Sequence, residues 1–374
     1  MFSETALSGQ TTFFQKLRSL DYLLISCIFV LGIVSSLSMY STDGGNILYH
    51  TKSHIIRFII FFSMMLVLSF LDVKFWHSTG YIFYTIVLGF LIWASMYGVK
   101  ASGSQRWVDL YFINLQPSEL MKIAIIVCFA KFYHRVQINM VNSFKNILIP
   151  IVLLIIPVFL VISQPDLGTS ILIGLSGLIV LWLAGVKVKY FIYSCLTLLI
   201  SLPFIISFLK PYQKLRILTF FNPDKDPLGA GYQIIQSKIA VGSGGISGKG
   251  FLKGTQSYLE FLPEKHTDFI FTLFSEEQGF IGSIFLLLLY GIIIYRIIKI
   301  GSECRSFFAK LFCYGYASSL FIYISVNMSM VLGLLPIVGS PLPIMSYGGS
   351  SMLATMIGFS IVMSAKIYQK RLIA

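Results

Sequence analysis

Apolar runs long enough to cross a lipid bilayer recur along almost the whole chain, and this constrains the fold more than any other feature. A helix needs roughly 20 apolar residues to span about 30 Å of hydrocarbon. Such runs lie near 22–40, 55–71, 80–98, 147–163, 169–186, 190–209, 269–295, 307–332 and 351–369. A shorter tenth run, 118–133, carries two charges and follows Pro117, which favours a helix start there. The sequence therefore predicts an all-α, polytopic integral membrane protein with about ten transmembrane helices, forming a single domain over residues 1–374.

The composition excludes the soluble classes of protein. Of 374 residues, 56% are hydrophobic and 11% are charged, and the mean hydropathy is +0.82. Soluble domains carry about 25% charged residues, so this chain has too few polar side chains to cover a surface in water. The five cysteines show no metal-ligand spacing, so we expect neither an obligatory disulfide nor a zinc site. Four histidines stand alone in the sequence and are expected near the membrane interfaces: His50, His54, His77 and His134.

The basic residues predict on which side each connection lies. If the N-terminus is in the cytoplasm, the inner segments carry 15 basic residues, and the short outer connections carry four, at Lys52, Arg57, Lys100 and Arg106. Short cytoplasmic loops are enriched in Lys and Arg, so both termini are expected in the cytoplasm. We interpret the first apolar run as a retained span, with a cleaved signal peptide as the alternative. The net charge of +13 is then a signal of topology and gives no reason to expect a nucleic-acid partner.

The unusual sequence lies on the predicted outer side. It comprises 98–117, the turn at 164–168, the long loop 210–268 and the segment 333–350. Functional residues concentrate in connections that a rigid scaffold holds, so we expect the site to face outward. The segment 333–350 contains prolines and glycines but no charge, which predicts a re-entrant or capping element instead of a regular helix.

Asp268 ends a short charged run directly before the apolar run 269–295. Three carboxylates, a lysine and a histidine lie within nine residues, at Glu260, Glu264, Lys265, His266 and Asp268. One interpretation of Asp268 is a helix N-cap. The other is a general base at the mouth of a cavity, and the two roles are compatible.

Three further groups allow both a structural and a functional interpretation. Glu119 and Lys122 share a helix face at membrane depth, either as a packing pair or as a functional pair. Arg106 could bind phosphate or anchor the chain at the interface beside Trp107. Asp166 lies in a Pro-Asp-Leu-Gly turn, where aspartate commonly bonds its own backbone.

The glycine-rich stretch 242–250 invites a nucleotide-binding interpretation, which its spacing excludes. A Walker A loop requires glycine at position 243 and Ser or Thr at 250, where the chain has Ser243 and Gly250. Two interpretations stay open: a flexible linker, or a backbone nest that holds an anion together with Lys249.

Several sequence blocks in register resemble one family. They are GSQRW at 103–107 with LQPSELMK at 115–122, QPDLGT at 164–169, NP and DP within 222–227, GYQ at 231–233, PEKHTDFIF at 263–271, and GLLP, GSPLP and SYGGSS within 333–351. Together they resemble the SEDS proteins (shape, elongation, division and sporulation). The run KGTQS at 253–257 is more similar to the rod-shape elongation branch of that family than to its division branch.

The resemblance implies a peptidoglycan glycosyltransferase that polymerises lipid II on the outer face of the bacterial plasma membrane during cell elongation. Asp268 matches the catalytic aspartate of the family and is the expected general base. The candidate substrate-binding residues are Arg106, Glu119, Lys122, Asp166, Arg216, Lys249, Glu264, Lys265 and His266. The reaction needs no nucleotide, and a divalent cation, Mg²⁺ or Mn²⁺, is the one cofactor left open.

The implied partners are lipid II, a lipid-linked glycan strand, a class B penicillin-binding protein, other elongation-complex proteins and membrane lipid. Two other functions stay open: a lipid II flippase, and a scaffold that acts through a bound transpeptidase. A flippase needs charged groups that are accessible from both faces. The concentration of polar chemistry on one side favours the enzyme.

Overall fold

The computed structural model describes residues 12–101, 104–109, 114–208, 214, 218–220, 222, 230–255 and 264–373. The helices with described bounds are α1 Phe13–Arg18, α2 Tyr22–Thr42, α3 Tyr49–Ser69, α4 Val73–Tyr97, α5 Pro117–His134, α6 Phe144–Ser163, α7 Leu167–Leu183, α8 Val188–Phe208, α9 Ala230–Ser243, α10 Ile270–Glu303, α11 Phe307–Val331 and α12 Gly349–Ile367. Three short strands lie between α4 and α5: β1 Val99–Ala101, β2 Ser104–Asp109 and β3 Asn114–Leu115. They form an antiparallel sheet in the order β1-β2-β3, with Val99 opposite Trp107 and Val108 opposite Leu115.

The all-α, multi-pass membrane fold is confirmed. The ten long helices α2–α8 and α10–α12 coincide with the ten predicted spans. Within the described residues, seven of them are long and apolar enough to cross a membrane. Of the other three, α5 carries charged residues, α7 has 17 residues, and the apolar part of α8 extends over Val188–Ser201. The exact count of ten spans stays a prediction.

The charged helix α5 lies at the centre of the bundle. Of its 18 residues, 16 are buried, and it packs against α4, α7, α11 and α12. The outer helices instead expose large apolar side chains, such as Phe159 and Ile200, on their outward faces. Charges inside a membrane protein are tolerated where they face the protein interior. The central position therefore explains why a span with Glu119, Lys122 and Lys131 is compatible with this fold.

Hydrogen bonds and ion pairs between them place the unusual connections together at one end of the bundle, which we call the site end. It comprises the connection between α2 and α3, the small sheet, the turn before α7, the segment 245–255, the turn 264–269 and the segment 332–348. At the opposite end, three ion pairs tie the helices together: Asp21 with Arg296, Asp72 with Arg371, and Glu303 with Lys366.

The segment 332–348 is irregular and buried, as its prolines and glycines predict. Leu342, Ile344 and Met345 are at most 1% exposed. The Ser35 hydroxyl donates to the Ile344 carbonyl oxygen (2.9 Å), and the Tyr290 hydroxyl donates to the Pro343 carbonyl oxygen (2.6 Å). Irregular backbone at membrane depth is stable only where protein satisfies its polar groups. Side chains of α2 and α10 satisfy them here.

The backbone of the glycine-rich stretch 242–250 forms hydrogen bonds with α10 on both sides of a break in that helix. The break is at Gly279, which has φ 64° and ψ −160°. Backbone hydrogen bonds join the two segments, from Phe280 N to Gly245 O, Ile281 N to Ile246 O, Lys249 N to Glu276 O and Gly250 N to Glu277 O, at 2.9–3.1 Å. The expectation of a flexible linker is therefore wrong, because this stretch supplies the partners that a broken helix lacks.

Replacing Gly279 with alanine should lower the thermal stability of the protein. A Cβ atom there would lie 2.3 Å from the Gly248 nitrogen, and the positive φ strains any other L-residue by about 1–3 kcal/mol. Gly291→Ala is the matched control in the same helix, since no atom lies within 4 Å of its Cβ position. Alanine there should be neutral or stabilising by up to about 1 kcal/mol. Thermal unfolding in detergent compares the two variants, and equal melting temperatures would contradict this role of Gly279.

Candidate active site

Asp268 lies in the turn 264–269, beside the buried segment 332–348. The helix α10 begins at Ile270 with Phe269 at the N-cap position, so the expectation that Asp268 occupies the N-cap is wrong by one residue. Asp268 is half-buried. Its Oδ2 lies 3.5 Å from the position that a Cβ on Gly339 would take, and Gly339 has φ +71°. A glycine at this position thus leaves room for the carboxylate beside the segment.

Asn327 holds the backbone at Asp268. Its Nδ2 donates to the Asp268 carbonyl oxygen (3.0 Å) and to the Ser340 carbonyl oxygen (2.6 Å). Asn327 is not among the site residues predicted from the sequence. An asparagine within an apolar span is itself a signal, because such residues usually bond across helices.

Two further bonds fasten the same turn to the end of the segment 332–348, directly before α12. The Ser346 hydroxyl donates to the Thr267 carbonyl oxygen (2.5 Å), and the Tyr347 N–H donates to the His266 carbonyl oxygen (2.8 Å). Three consecutive carbonyl groups of the turn are therefore fixed by hydrogen bonds. A turn fixed in this way holds the side chain of Asp268 in a defined place.

Glu119, Lys122 and Tyr323 form a buried group between α5 and α11. Lys122 Nζ lies 2.9 and 3.0 Å from the two Glu119 carboxylate oxygens and 3.6 Å from the centroid of the Tyr323 ring. The Tyr323 hydroxyl donates to the same carboxylate at 3.1 and 3.2 Å. A small cavity of about 20 Å³ borders the group, and Tyr316, Ser319 and Thr355 also line it. The pair therefore borders a space about large enough for one water molecule as well as packed protein.

Asp166 both caps the helix α7 and forms an ion pair with Arg106. Its Oδ1 accepts from the Thr169 N–H (3.2 Å) as the N-cap of α7. Its Oδ2 lies 3.2 Å from both Arg106 Nη1 and Gln116 Nε2. Arg106 keeps 27% of its side-chain surface exposed. Gln116 is not among the site residues predicted from the sequence, although this residue lies within the LQPSELMK block.

The helix α11 joins these groups. Tyr323 and Asn327 are four residues apart and therefore lie on one face of that helix. Tyr323 interacts electrostatically with Asp268 and Asp166 as well as with Glu119. The structure thus brings Asp268, Asp166 and Glu119 into one region with Arg106 and Lys122, which we call the carboxylate site.

The remaining predicted residues have other surroundings. Lys249 Nζ lies 2.7 Å from Glu276 Oε1. Glu264 is exposed and accepts from the Thr267 hydroxyl (2.9 Å), and Lys265 is half-buried in the same turn. Arg216 lies outside the described residues.

A second group of titratable side chains reaches the turn 264–269 from the end of α2 and the first turn of α3. His50 Nδ1 lies 3.3 Å from Asp43 Oδ1, and the rings of His50 and His266 stack with centroids 4.2 Å apart. His266 Nδ1 lies 3.0 Å from Thr42 Oγ1. Burial and the neighbouring His50 lower the pKa of His266 to about 4, so its imidazole is neutral at neutral pH. His50, which stands alone in the sequence, therefore has close partners in the fold.

The described residues do not offer the oxygen ligands expected for Mg²⁺ or Mn²⁺. Within those ranges, one group of three metal-ligating side chains converges, formed by Asp43, His50 and His266, with one ligand atom of each within 4.8 Å of the others. Two of these ligands are imidazole nitrogens, whereas Mg²⁺ and Mn²⁺ prefer oxygen. The group therefore does not fit either ion.

Comparison with known proteins identifies relatives over nearly the whole chain. The model of the FtsW/RodA/SpoVE family, described as cell cycle protein, matches residues 17–371. Peptidoglycan glycosyltransferase MrdB of Escherichia coli K12 is 41% identical over 97% of this chain and 98% of MrdB. Stage V sporulation protein E of Bacillus subtilis is 36% identical over 73% of this chain and 74% of that protein.

Solved structures show the same fold. A chain of a peptidoglycan synthase complex, studied for its structural coordination of polymerization and crosslinking, has a TM-score of 0.81 at 27% identity and covers 94% of this chain and 99% of its own. Rod shape determining protein RodA of Thermus thermophilus has a TM-score of 0.71 at 22% identity over 94% of this chain and 98% of its own. Sequence and fold agree, and the chain belongs to the FtsW/RodA/SpoVE family, the SEDS proteins.

Proposed function

We propose that this chain is a peptidoglycan glycosyltransferase that polymerises lipid II during cell elongation. The observation that carries the proposal is Asp268, a half-buried carboxylate on a fixed turn of the carboxylate site. The name of the Escherichia coli relative, peptidoglycan glycosyltransferase MrdB, supports it, because that protein is 41% identical over 97% of this chain.

In the proposed reaction Asp268 is the general base. It accepts the proton of the C4 hydroxyl of the acceptor sugar while that oxygen attacks the anomeric carbon of the lipid-linked strand. The new glycosidic bond forms as the bond between that carbon and the pyrophosphate oxygen breaks, and the lipid pyrophosphate leaves. Pyrophosphate is a good leaving group, so one positioned base is sufficient, and such a base typically contributes about 10²–10⁴-fold.

Arg106 and Lys122 supply positive charge for the leaving pyrophosphate. Arg106 holds Asp166 through Nη1, while 27% of its side chain remains exposed and can reach a bound anion. Lys122 borders the small cavity beside its partner Glu119. Charges fixed before the reaction stabilise the negative charge that develops in the transition state. Both residues are held by carboxylates, which fixes their positions.

The proposed setting is the bacterial plasma membrane, which is the inner membrane if the envelope has two. The basic residues of the short loops support a site end that faces outward. A similar chain belongs to a complex that coordinates polymerization and crosslinking. We therefore expect this chain to bind a class B penicillin-binding protein together with other elongation-complex proteins.

The test uses the full chain in detergent with its class B penicillin-binding protein and labelled lipid II. Detergent removes the two sides of the membrane, so glycan chains on a gel report chemistry alone. We expect polymer. If no polymer forms and the same preparation moves lipid II across vesicle membranes, the protein is a flippase and the proposed activity is wrong.

Lys249→Ala should lower the melting temperature of the protein, with a smaller effect on polymerisation per folded molecule. Lys249 bonds Glu276, whose side chain is fully buried, so the variant loses a charged hydrogen bond of about 1.5–3 kcal/mol. Lys253→Ala is the matched control, since Lys253 is exposed in the same segment. Thermal unfolding and gel assays together measure both effects. Lost polymerisation at an unchanged melting temperature would instead support the expected role of Lys249 in substrate binding.

A further inference from the structure

We propose that Asp43, His50 and His266 form a binding site for a divalent transition-metal ion of the zinc class. The ion would fasten the turn 264–269 to the end of α2 and the start of α3. Its ligands are Asp43, which directly follows α2, His50 in the first turn of α3, and His266, which is 216 positions further along the chain than His50. The cysteines of the chain lack the spacing of a zinc site, but this group contains no cysteine, so that argument does not apply to it.

The distances suit a tetrahedral ion. Zinc binds nitrogen and oxygen at about 2.0–2.1 Å, so two of its tetrahedral ligands lie about 3.3–3.4 Å apart. Asp43 Oδ1 and His50 Nδ1 already have that separation, at 3.3 Å. The ligand atoms of all three residues lie within 4.8 Å of one another, so the third must approach by up to about 1.5 Å. The rings of His50 and His266 stack at an interplanar angle of 16°, and closing on the ion turns one ring out of the stack.

Hydrogen bonds from Thr51 hold the Asp43 carboxylate so that its other oxygen faces the site. Asp43 Oδ2 accepts from the Thr51 N–H (2.9 Å) and lies 2.6 Å from the Thr51 hydroxyl. Those bonds satisfy Oδ2 and leave Oδ1 facing His50. Carboxylate ligands in metal sites are commonly held by such outer hydrogen bonds.

The contact with Thr42 fixes the tautomer of His266. The Thr42 hydroxyl donates its single proton to the Met39 carbonyl oxygen (2.7 Å). Towards His266 Nδ1 it can therefore only accept, which places a proton on Nδ1 and leaves the lone pair on Nε2. Metal-bound histidines almost always donate their other ring N–H in this way.

The donor set selects the class of metal. Two imidazoles and one carboxylate are typical ligands of zinc and related transition metals, and three protein ligands leave a fourth position for water. Asp43 is buried and places a carboxylate beside the two imidazoles. An Asp43–His50 ion pair without any metal is the competing account, and it predicts no zinc binding.

The metal would stabilise the turn that carries the proposed base. His266 precedes Asp268 by two residues, and its carbonyl group is already bonded by the Tyr347 N–H. An ion at His266 adds a side-chain fastening to the backbone fastenings of this turn. This consequence rests on the proposed function, whereas metal binding itself does not.

The test measures zinc binding by the full chain without substrate, so its outcome is independent of polymerisation. Chelator-treated protein in detergent is titrated with zinc sulfate by calorimetry, and its melting temperature is followed in parallel. We expect a single zinc ion per chain and a higher melting temperature. Loss of an outer-shell partner typically costs 10–100-fold in metal affinity, so loss of a ligand in His50→Gln or Asp43→Asn should weaken zinc by about 100-fold or more. Lys52→Gln, an exposed residue of the same helix turn, should bind as the parent does.

Cobalt separates this site from the five free cysteine thiols of the chain. Bound at the proposed site, Co²⁺ should give visible ligand-field bands without a thiolate charge-transfer band in the near ultraviolet. This measurement on the parent keeps the proposal testable if a variant fails to fold. The proposal is overturned if the parent binds no zinc, if both ligand variants bind it as the parent does, or if the cobalt spectrum shows thiolate ligands.

Discussion

Replacing Asp268 with asparagine should reduce lipid II polymerisation by about 10²–10⁴-fold, because an amide cannot accept the proton of the attacking hydroxyl. The change preserves the shape of the side chain. It also preserves the backbone bond, in which Asn327 donates to the carbonyl oxygen of residue 268. The melting temperature should therefore stay close to that of the parent, so that lost polymer reports lost chemistry. Gel analysis of glycan chains from labelled lipid II measures the effect.

Asp72→Asn is the matched control for that experiment. Asp72 lies at the opposite end of the bundle and caps α4 by accepting from the Lys74 N–H (2.9 Å). Asparagine caps a helix about as well as aspartate, and the ion pair of Asp72 with Arg371 is partly exposed, so that its loss costs at most about 1 kcal/mol. This variant should therefore fold and polymerise normally. Equal polymer from Asp268→Asn and from the parent would remove Asp268 from the role of base and leave the activity to another carboxylate.

The fold followed from the sequence because the membrane imposes a simple rule. Each apolar run of about 20 residues must satisfy its own backbone, and in lipid it does so as a helix. The weakest of these predictions concerned α5, which is short and charged. Its stability depends on burial among other helices, which the composition of the run itself does not show.

The site was predicted where its residues are close in sequence and missed where they are distant. Asp268 lies in a conspicuous charged run, and Glu119 and Lys122 are one helix turn apart. Tyr323 and Asn327 lie in an apolar span, and their partners are about 200 and 60 residues away along the chain. Their roles arise only when α11 packs beside α5 and the turn 264–269.

For the glycine-rich stretch 242–250, the sequence predicted less structure than the fold contains. Its composition is typical of a flexible linker, yet its backbone pairs with α10 on both sides of Gly279. Nothing in residues 242–250 alone reports that a helix breaks some 30 residues later. A local pattern gives the conformations a segment can adopt, and tertiary partners select one of them.

The second large effect concerns the buried pair of Glu119 and Lys122. Glu119→Leu should destabilise the protein by about 3–5 kcal/mol, because it leaves the Lys122 ammonium buried without its carboxylate. The double variant Glu119→Leu/Lys122→Met replaces both charges by apolar groups of similar size, and this should recover most of the lost stability. Thermal unfolding in detergent measures each step. Glu303→Leu is the control for a partly exposed pair, where the loss should be at most about 1 kcal/mol.

The double variant also separates the two interpretations of this pair. If the pair only fixes helix packing, polymerisation should return together with the melting temperature. We expect the melting temperature to return while polymerisation stays low, because Lys122 borders the cavity and supplies charge to the leaving pyrophosphate. Full recovery of both would assign the pair to packing alone. Parental stability in Glu119→Leu would show that Lys122 finds water or another partner in the cavity, since an unpaired ammonium inside the bundle is otherwise too costly to persist.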